Sequence, residues 1–187
     1  MSRKKEYIET EVLEKAMNLF WTKGYEHTSL QMLEKEMGIN KFSIYSSFGN
    51  KENLFVESMK LYRCKVEELA KELEASSVGV IALKKYFYNF LKITESNGFG
   101  KGCLITNTLT ELDEETNKII VAQVEGFREF IRQLFLNNLK YNSVESPEII
   151  ERKADYLLVS MIGLSSASRV CNNNQLKNYI ENTFNKL

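Results

Sequence analysis

The stretch from Thr28 to Lys51, TSLQMLEKEMGINKFSIYSSFGNK, has the pattern of two short helices joined by a tight turn, with a longer helix beginning at its end. Thr28 followed three residues later by Gln31 matches a capping box, which predicts that the first helix begins directly after Thr28. Gly38 stands where a helix ends in left-handed backbone angles, and Asn40 can cap the next helix. Together these signals predict a helix-turn-helix arrangement.

The second of these helices is predicted to bury one face and to leave the other free. Ile44 and Phe48 are four residues apart and should pack inward. One cation, two aromatic rings and three hydroxyls then lie on or near the outer surface: Lys41, Phe42, Ser43, Tyr45, Ser46 and Ser47. Lysine and the tyrosine hydroxyl bind phosphates, serine binds phosphates or base edges, and an apolar ring can meet a thymine methyl. Such a helix fits the major groove of DNA.

The stretch resembles the TetR-type bacterial transcriptional regulators. The resemblance rests on one long composite motif, formed by Gly24, Tyr25, Thr28, Ser29, Gly38, Ile39, Ser43, Ile44, Tyr45, Phe48, Gly49, Lys51, Glu52 and Leu54. Two departures matter for sequence recognition. Phe42 stands where the family usually has glycine or another small residue, and Ser46 and Ser47 replace the His, Arg or bulky aromatic residues common there. The operator of a relative therefore cannot be transferred to this chain.

The resemblance implies an all-α fold of about nine helices. An N-terminal three-helix helix-turn-helix DNA-binding domain is expected over residues 1–50, and a C-terminal helical domain for ligand binding and dimerisation over 51–187, with the helix over 51–75 linking the two. It also implies a homodimer through helices over about 147–171 and 174–187, although these helices could equally complete a monomer core. Two recognition helices would then reach successive major grooves of a pseudo-palindromic double-stranded operator.

Two kinds of DNA contact are expected from this surface. Lys41, Phe42 and Ser46 should lie nearest the bases, whereas phosphate contacts are expected from Thr28, Ser43, Tyr45 and Lys51, with Ser29 in the same surface. Lys51 falls in the first turn of a helix that Asn50 can cap, beside backbone N–H groups that favour anions.

Overall charge gives no sign of a nucleic-acid partner, because 25 Lys and Arg residues balance 25 Asp and Glu residues. On charge alone an ordinary soluble protein or an enzyme is the better interpretation. DNA affinity would have to come from a local patch formed by Arg3, Lys4, Lys5, Lys41 and Lys51. Nearby acidic side chains dilute this patch, which predicts moderate and strongly salt-dependent binding.

Several other classes of protein are disfavoured. No apolar run approaches the roughly 20 residues that cross a bilayer, and the polar N-terminus lacks a signal peptide. Three cysteines, Cys64, Cys103 and Cys171, are far apart, which favours reduced thiols in a cytoplasmic protein. His27 is the single histidine and no phosphate loop, HExxH or GxSxG motif is present, so we expect no metal site, no cofactor and no enzyme activity.

Hydrophobic periodicity divides the rest of the chain into further helices. They are predicted over about 7–23, 78–95, 103–112 and 114–140, with a flexible glycine-rich loop over 96–102. Ser146 before Pro147 is a strong signal for the start of the next helix.

The resemblance further implies a cavity among the middle helices for a small-molecule effector that changes the separation of the two recognition helices. Candidate lining residues are Met59, Tyr62, Arg63, Tyr86, Phe90, Cys103, Asn107 and Phe127, and for each of them the alternative is a plain core or surface residue. Their aromatic character indicates a flat or apolar organic effector. Cys103 is also a candidate sensor of electrophiles or oxidants, because a helix N-terminus and Lys101 would favour its thiolate, whereas the alternative is a buried, inert thiol.

The leading hypothesis is therefore a ligand-responsive repressor that reads DNA as a homodimer. A redox- or electrophile-sensing repressor acting through Cys103 is one alternative. A helical protein-interaction module that ignores duplex DNA is the other, although such a module has no reason to place Tyr45, Gly49 and Lys51 at these intervals around a capped turn.

Overall fold

A computed structural model describes residues 7–74, 79–96, 99–109, 111, 117–141, 143–185 and 187. The described part of the chain forms nine helices and one short antiparallel hairpin, which confirms the predicted all-α class. The elements are α1 (Glu9–Lys23), α2 (Leu30–Met37), α3 (Lys41–Phe48), α4 (Lys51–Glu74), α5 (Val80–Thr94), β1 (Glu95–Ser96), β2 (Phe99–Gly100), α6 (Leu104–Thr108), α7 (Lys118–Lys140), α8 (Pro147–Ala167) and α9 (Asn173–Phe184).

The start of α2 differs from the prediction by one residue. Ser29 is the cap, because its hydroxyl accepts a hydrogen bond from the N–H of Met32 at 3.2 Å. Thr28 is buried, and its hydroxyl instead donates to the carbonyl of Gly24 at 2.6 Å. The predicted capping box of Thr28 and Gln31 is therefore wrong: the threonine closes the loop after α1 instead of capping α2.

The turn between α2 and α3 has the predicted chemistry. Gly38 ends α2 in the left-handed region with φ of 71°, and Asn40 caps α3 by accepting from the N–H of Ser43 at 2.9 Å. Ile44 and Phe48 are both buried, as predicted. The inner face of α3 is thus packed against the core, and this packing determines which face of the helix points outward.

α4 is the element shared by the two halves of the molecule. Asn50 caps it, as expected, by accepting from the N–H of Asn53 at 2.7 Å. The helix packs on α1 through an edge-to-face contact of the Phe20 and Phe55 rings at 4.8 Å, and it also packs on α7. The division at residues 50 and 51 stays a prediction.

The glycine-rich segment is more ordered than predicted. Glu95 pairs with Gly100, and Ser96 pairs with Phe99, to form the β1–β2 hairpin. The N–H of Gly100 also donates to the carbonyl of Ser168 at 3.0 Å. A side chain at Gly100 would place its Cβ 2.6 Å from that carbonyl oxygen, so the close approach requires glycine. Residues 97 and 98 of the predicted loop lie outside the described residues.

Three helix boundaries also differ from the predictions. α1 begins at Glu9 and leaves Ile8 exposed, and α5 begins at Val80. α6 ends at Thr108 because the next hydrogen bonds, from Leu109 to Thr106 and from Glu111 to Thr108, are those of tight turns. The predicted start of the helix at 114–140 lies outside the described residues, and α7 is described from Lys118.

Candidate DNA interface and effector cavity

The outer face of α3 presents the side chains that the sequence predicts. Lys41, Phe42, Tyr45 and Ser46 are exposed, and we call these four residues the recognition face. Phe42 is 81% exposed and Tyr45 is 38% exposed. The ammonium of Lys41 lies 5.6 Å from the centre of the Tyr45 ring, in a cation–π contact. The face therefore combines one cation, two rings and two hydroxyls, and Ile44 and Phe48 are buried on the opposite side of the helix.

Two contacts that sequence reasoning missed hold α3 in place. The Glu34 carboxylate accepts a hydrogen bond from the N–H of Lys41, which ties α2 to the first turn of α3. The Tyr7 hydroxyl lies 2.6 Å from the Ser47 hydroxyl and donates to the carbonyl of Ser43 at 3.3 Å. Ser43 and Ser47 are only half-buried, yet the Ser47 hydroxyl is already occupied. The recognition face is consequently presented by a helix that is anchored at both ends.

Lys51 lies at the start of α4, where sequence reasoning expects a phosphate contact. Its ammonium lies 4.4 Å from the centre of the Tyr25 ring. Burial lowers the pKa of Lys51, and the charges of Glu26 and Glu111 oppose this shift. Burial, together with Glu52 and Glu26, raises the pKa of Tyr25. The cation–π contact thus restrains the ammonium of Lys51, which is the first residue of α4.

The remaining predicted DNA contacts are placed differently. Thr28 is buried with its hydroxyl bonded to Gly24, so its side chain does not reach the surface. Ser29 is exposed while its hydroxyl caps α2. The basic residues Arg3, Lys4 and Lys5 of the predicted patch lie outside the described residues.

A cavity with an open volume of about 40 Å³ lies among α4 to α8. Four of the predicted residues line it, namely Tyr86, Phe90, Cys103 and Phe127. Sequence reasoning missed the side contributed by α8, which consists of Leu158, Met161, Ile162 and Ser165. The apolar, small-residue run of α8 was the available signal for them. The lining is mainly aromatic and aliphatic, with Thr106, Arg128 and Ser165 as its polar members.

The other four predicted cavity residues do not line this space. Met59 and Tyr62 are fully buried in the core. The guanidinium of Arg63 pairs with Glu67 at 2.7 Å and lies 5.2 Å from the centre of the Phe130 ring. The Asn107 amide donates to the carbonyl of Lys101 at 2.8 Å.

Cys103 is the N-cap residue of α6, and its thiol is buried. The side chain is 3% exposed, and the backbone N–H donates to the Ser165 hydroxyl at 2.8 Å. Burial, and after it the neighbouring Cys103 thiol, raises the pKa of Tyr62 well above its ordinary value. The ammonium of Lys101, expected to favour a thiolate, lies over the Trp21 ring at 5.2 Å. Cys103 is also one of the residues that line the cavity.

The cavity wall at α6 is connected to the helix-turn-helix unit. The indole N–H of Trp21, on α1, donates to the carbonyl of Gly102 at 3.0 Å, just before α6. Just after α6, the Glu111 carboxylate lies against Gly24, which ends α1. One Glu111 oxygen is buried and has no hydrogen-bond partner among the described residues. A displacement of α6 would therefore act directly on the end of α1.

A second exposed surface lies on α8 and α9. Val159 is 68% exposed, and Tyr156 and Tyr179 are also exposed. Val170, which follows α8, is 82% exposed. We call these four residues the α8–α9 face: Tyr156 and Val159 lie on α8, Val170 lies in the connection after it, and Tyr179 lies on α9.

Neither a membrane span nor a metal centre is found in the described residues. None of their helices combines the length and apolarity needed to cross a bilayer. None of their His, Cys, Asp and Glu residues come together in a group of three that could hold a metal ion.

Comparison with known proteins agrees with this geometry. The family model for bacterial regulatory proteins of the tetR family matches residues 12–57, which run from α1 into α4. The HTH-type transcriptional repressor ComR of Escherichia coli (strain K12) is 33% identical over 176 residues, which cover 89% of this chain and 82% of ComR. The HTH-type transcriptional regulator YezE of Bacillus subtilis (strain 168) is 33% identical over 112 residues, which cover 59% of this chain and 58% of YezE.

Solved structures show the same fold along the whole chain. A cysteine-substituted mutant of the TetR family transcriptional regulator CifR, complexed with 26-base-pair double-stranded operator DNA, superposes with a TM-score of 0.88. The superposition covers 98% of each chain at 21% sequence identity. With the helix-turn-helix geometry and the ComR match over most of its length, the chain belongs to the TetR family of DNA-binding transcriptional regulators, which are not enzymes.

Proposed function

We propose that the protein is a cytoplasmic, homodimeric repressor that binds a pseudo-palindromic double-stranded operator and is released by a small organic effector. The main support for DNA binding is the recognition face of α3. Its four side chains are exposed on a capped helix whose opposite side is buried, and none of them is needed to complete the core. Such a face serves a partner outside the fold, and its chemistry suits phosphates and base edges.

The structure supports a division of roles within this interface. Lys41, Phe42 and Ser46 lie on the part of α3 that would face the bases. Tyr45, Lys51, Ser29 and Ser43 supply the proposed phosphate contacts. We leave Thr28 out because its hydroxyl is buried against Gly24.

The proposed dimer uses the α8–α9 face. Val159 and Val170 are large apolar residues that a monomer would leave in water, and a second copy of the same face would cover them. A symmetric pair of subunits would present two recognition helices to one face of the duplex. Two half-sites about 10 base pairs apart would then be read together.

The proposed effector site is the cavity. α6 supplies Cys103, Ile105 and Thr106 to its wall and also contacts α1 through the bond from Trp21 to Gly102. A ligand that enlarges the cavity would therefore move α6 against the helix-turn-helix unit. A hundredfold loss of DNA affinity would require about 2.7 kcal/mol of preference for the DNA-free state.

The test of DNA reading compares Lys41→Ala with Lys71→Ala. Lys71 is exposed on α4, far along the helix from α3, and serves as the matched loss of one positive charge. Fluorescence anisotropy with the intergenic DNA flanking the coding sequence would measure affinity. We expect Lys41→Ala to weaken binding about tenfold, and Lys71→Ala to match the wild type. Equal affinities for the two variants would refute the assigned role of α3.

A second candidate for the signal is an electrophile, because the Cys103 thiol lines the cavity. An α,β-unsaturated carbonyl compound entering the cavity would form a carbon–sulfur bond as its C=C π bond opens, and the thiol proton would pass to its α carbon. The added group would press on α6. Cys103→Ser should then retain operator binding and lose release by thiol-reactive compounds. Release that is unchanged in Cys103→Ser would eliminate this candidate and leave the reversible effector.

A further inference from the structure

Phe42 is an aromatic ring that the fold leaves in water. It is 81% exposed, which makes it the most exposed aromatic residue in the described part of the chain. Its position on the recognition face is otherwise surrounded by polar groups, namely the Lys41 ammonium, the Tyr45 hydroxyl and the Ser46 hydroxyl. Because the ring packs against no core residue, its burial contributes little to folding, and burial against a partner would contribute to binding instead.

The backbone that carries this ring is held rigidly. Phe42 is the second residue of α3, two residues after the Asn40 cap. The preceding N–H, that of Lys41, is bonded to Glu34, and the following N–H, that of Ser43, is bonded to Asn40. The ring therefore projects from a fixed point at the N-terminal end of α3, the end from which a recognition helix contacts base edges.

The chemistry of the ring restricts what it can read. A phenyl ring has no hydrogen-bond donor or acceptor, so it cannot distinguish bases through their polar edges. The C5 methyl of thymine is the only methyl group that an unmodified base presents in the major groove. Lys41 and Ser46 on either side of the ring retain the polar contacts to neighbouring bases or phosphates.

We propose that Phe42 is a specificity-determining residue that reads the C5 methyl of one thymine in each operator half-site. The proposal rests on the proposed function, since it requires that α3 enters the major groove. It predicts that the two half-sites share a thymine at one position, and that the methyl group itself, rather than the base pair, carries the preference.

The experiment replaces thymine by deoxyuridine, which removes the methyl and keeps every hydrogen-bonding group. The probe is the duplex that the wild-type protein selects most strongly from a random-sequence pool, with symmetric single thymine replacements through both half-sites. For the wild type we expect one position at which affinity falls about fifteenfold, or about fourfold per half-site, from the loss of one buried carbon. Replacements at the other positions should change affinity by less than about twofold.

The matched variants are Phe42→Ala and Phe42→Leu. Because Phe42 is exposed, both should fold like the wild type, which circular dichroism and thermal unfolding would verify. Phe42→Ala should bind the thymine and deoxyuridine duplexes equally, and Phe42→Leu should recover part of the difference. Tyr45→Phe, which changes the other ring on the recognition face, should retain the full difference.

Two results would overturn the proposal while leaving the repressor function intact. One is a wild-type affinity that no deoxyuridine replacement changes. The other is a methyl effect of the same size in the wild type and in Phe42→Ala, which would assign the methyl contact to another residue. Failure of the wild type to select any duplex would overturn the proposed function and this inference with it.

Discussion

Gly24 adopts a backbone conformation that is accessible almost only to glycine. Its φ is 85° and its ψ is 164°, and a side chain there would collide with the Glu111 carboxylate. We expect Gly24→Ala to lower the free energy of unfolding by about 1 to 3 kcal/mol, measured by urea denaturation. Gly24 ends α1, and it also contacts Glu111, which follows α6. Gly24 therefore links the helix-turn-helix unit to the cavity wall.

Gly126→Ala is the control for that prediction. Gly126 is exposed within α7, and an added methyl group would meet only the far end of Arg63, at 4.0 Å. Alanine is the better helix former, so this variant should be as stable as the wild type or up to about 1 kcal/mol more stable. Equal destabilisation by both substitutions would show that the Gly24 geometry is not special.

Lys51 is expected to contribute to DNA affinity without contributing to sequence preference. Its charge is held over Tyr25 at the N-terminus of α4, where it would neutralise one phosphate of any sequence. Lys51→Gln should weaken binding to all duplexes alike and reduce the slope of log affinity against log salt by about one unit. A salt series measures both quantities. A slope equal to that of the wild type would exclude a phosphate contact by this residue.

The sequence alone does not predict correctly whether Thr28 or Ser29 caps α2. Both hydroxyls can cap a helix, and Thr28 alone has a glutamine three residues later, so the sequence favours Thr28. The structure caps α2 with Ser29, because the Thr28 hydroxyl finds the Gly24 carbonyl at 2.6 Å inside the loop. That partner becomes available only when the chain turns after α1, and no local pattern predicts it.

At the scale of elements, a polar cluster joins α5 to α9. The Glu181 carboxylate pairs with Lys84 at 2.7 Å and accepts from the Tyr88 hydroxyl at 2.7 Å. The hydrogen bond from Lys84, followed by that from Tyr88, lowers the pKa of Glu181 below its ordinary value of 4.5. Burial, followed by the bond to Glu181, raises the pKa of Tyr88 to about 12.

The cluster predicts how stability depends on pH. Since the folded state lowers the pKa of Glu181, its stabilising effect is complete above the unfolded value and disappears as the pH falls through the folded value. Glu181→Gln should therefore destabilise the protein at pH 7, and the difference from the wild type should shrink in strongly acidic solution. Urea denaturation of the variant and the wild type, at pH 7 and in strongly acidic solution, would measure this difference. Glu125→Gln, which removes an exposed carboxylate from α7, is the control and should be about as stable as the wild type at pH 7.

Three helix starts could be predicted from side-chain caps. α3, α4 and α8 begin where Asn40, Asn50 and Ser146 predict, because a side-chain cap acts on N–H groups within three residues. α6 is shorter than predicted because tertiary contacts decide its end: the chain turns after Thr108 and places Glu111 on Gly24. Likewise, the glycine-rich loop becomes a hairpin because Ser168 accepts from Gly100, far away in sequence.

The proposed dimer of the whole molecule depends on the α8–α9 face. Val159, in the α8–α9 face, is 68% exposed in the single chain. Val159→Glu would therefore place a charge in the buried interface of the proposed dimer. We expect this variant to sediment as a monomer and to lose most of its operator affinity. Val144→Glu is the control, because Val144 is fully exposed in the connection before α8. A dimer that survives Val159→Glu would contradict the proposed interface.

The sequence predicted the overall class of the molecule and the exposed residues of α3, and four of its eight candidate cavity residues line the cavity. The composite motif lies in one continuous stretch, so local spacing was sufficient for α2, α3 and the start of α4. The cavity is assembled from five helices, and its wall depends on which face of each helix turns inward. Met59 and Tyr62 were therefore misplaced, while the contribution of α8 was missed.

The most direct test of the account is selection of duplexes from a random-sequence pool by the wild-type protein and by Tyr45→Ala. We expect the wild type to enrich inverted half-sites with centres about 10 base pairs apart, and the enrichment to weaken steeply as salt rises. Tyr45→Ala should enrich the same sequence more weakly, because it loses a proposed phosphate contact on α3. Retention of no duplex at any salt concentration by the folded wild-type protein would contradict the central claim.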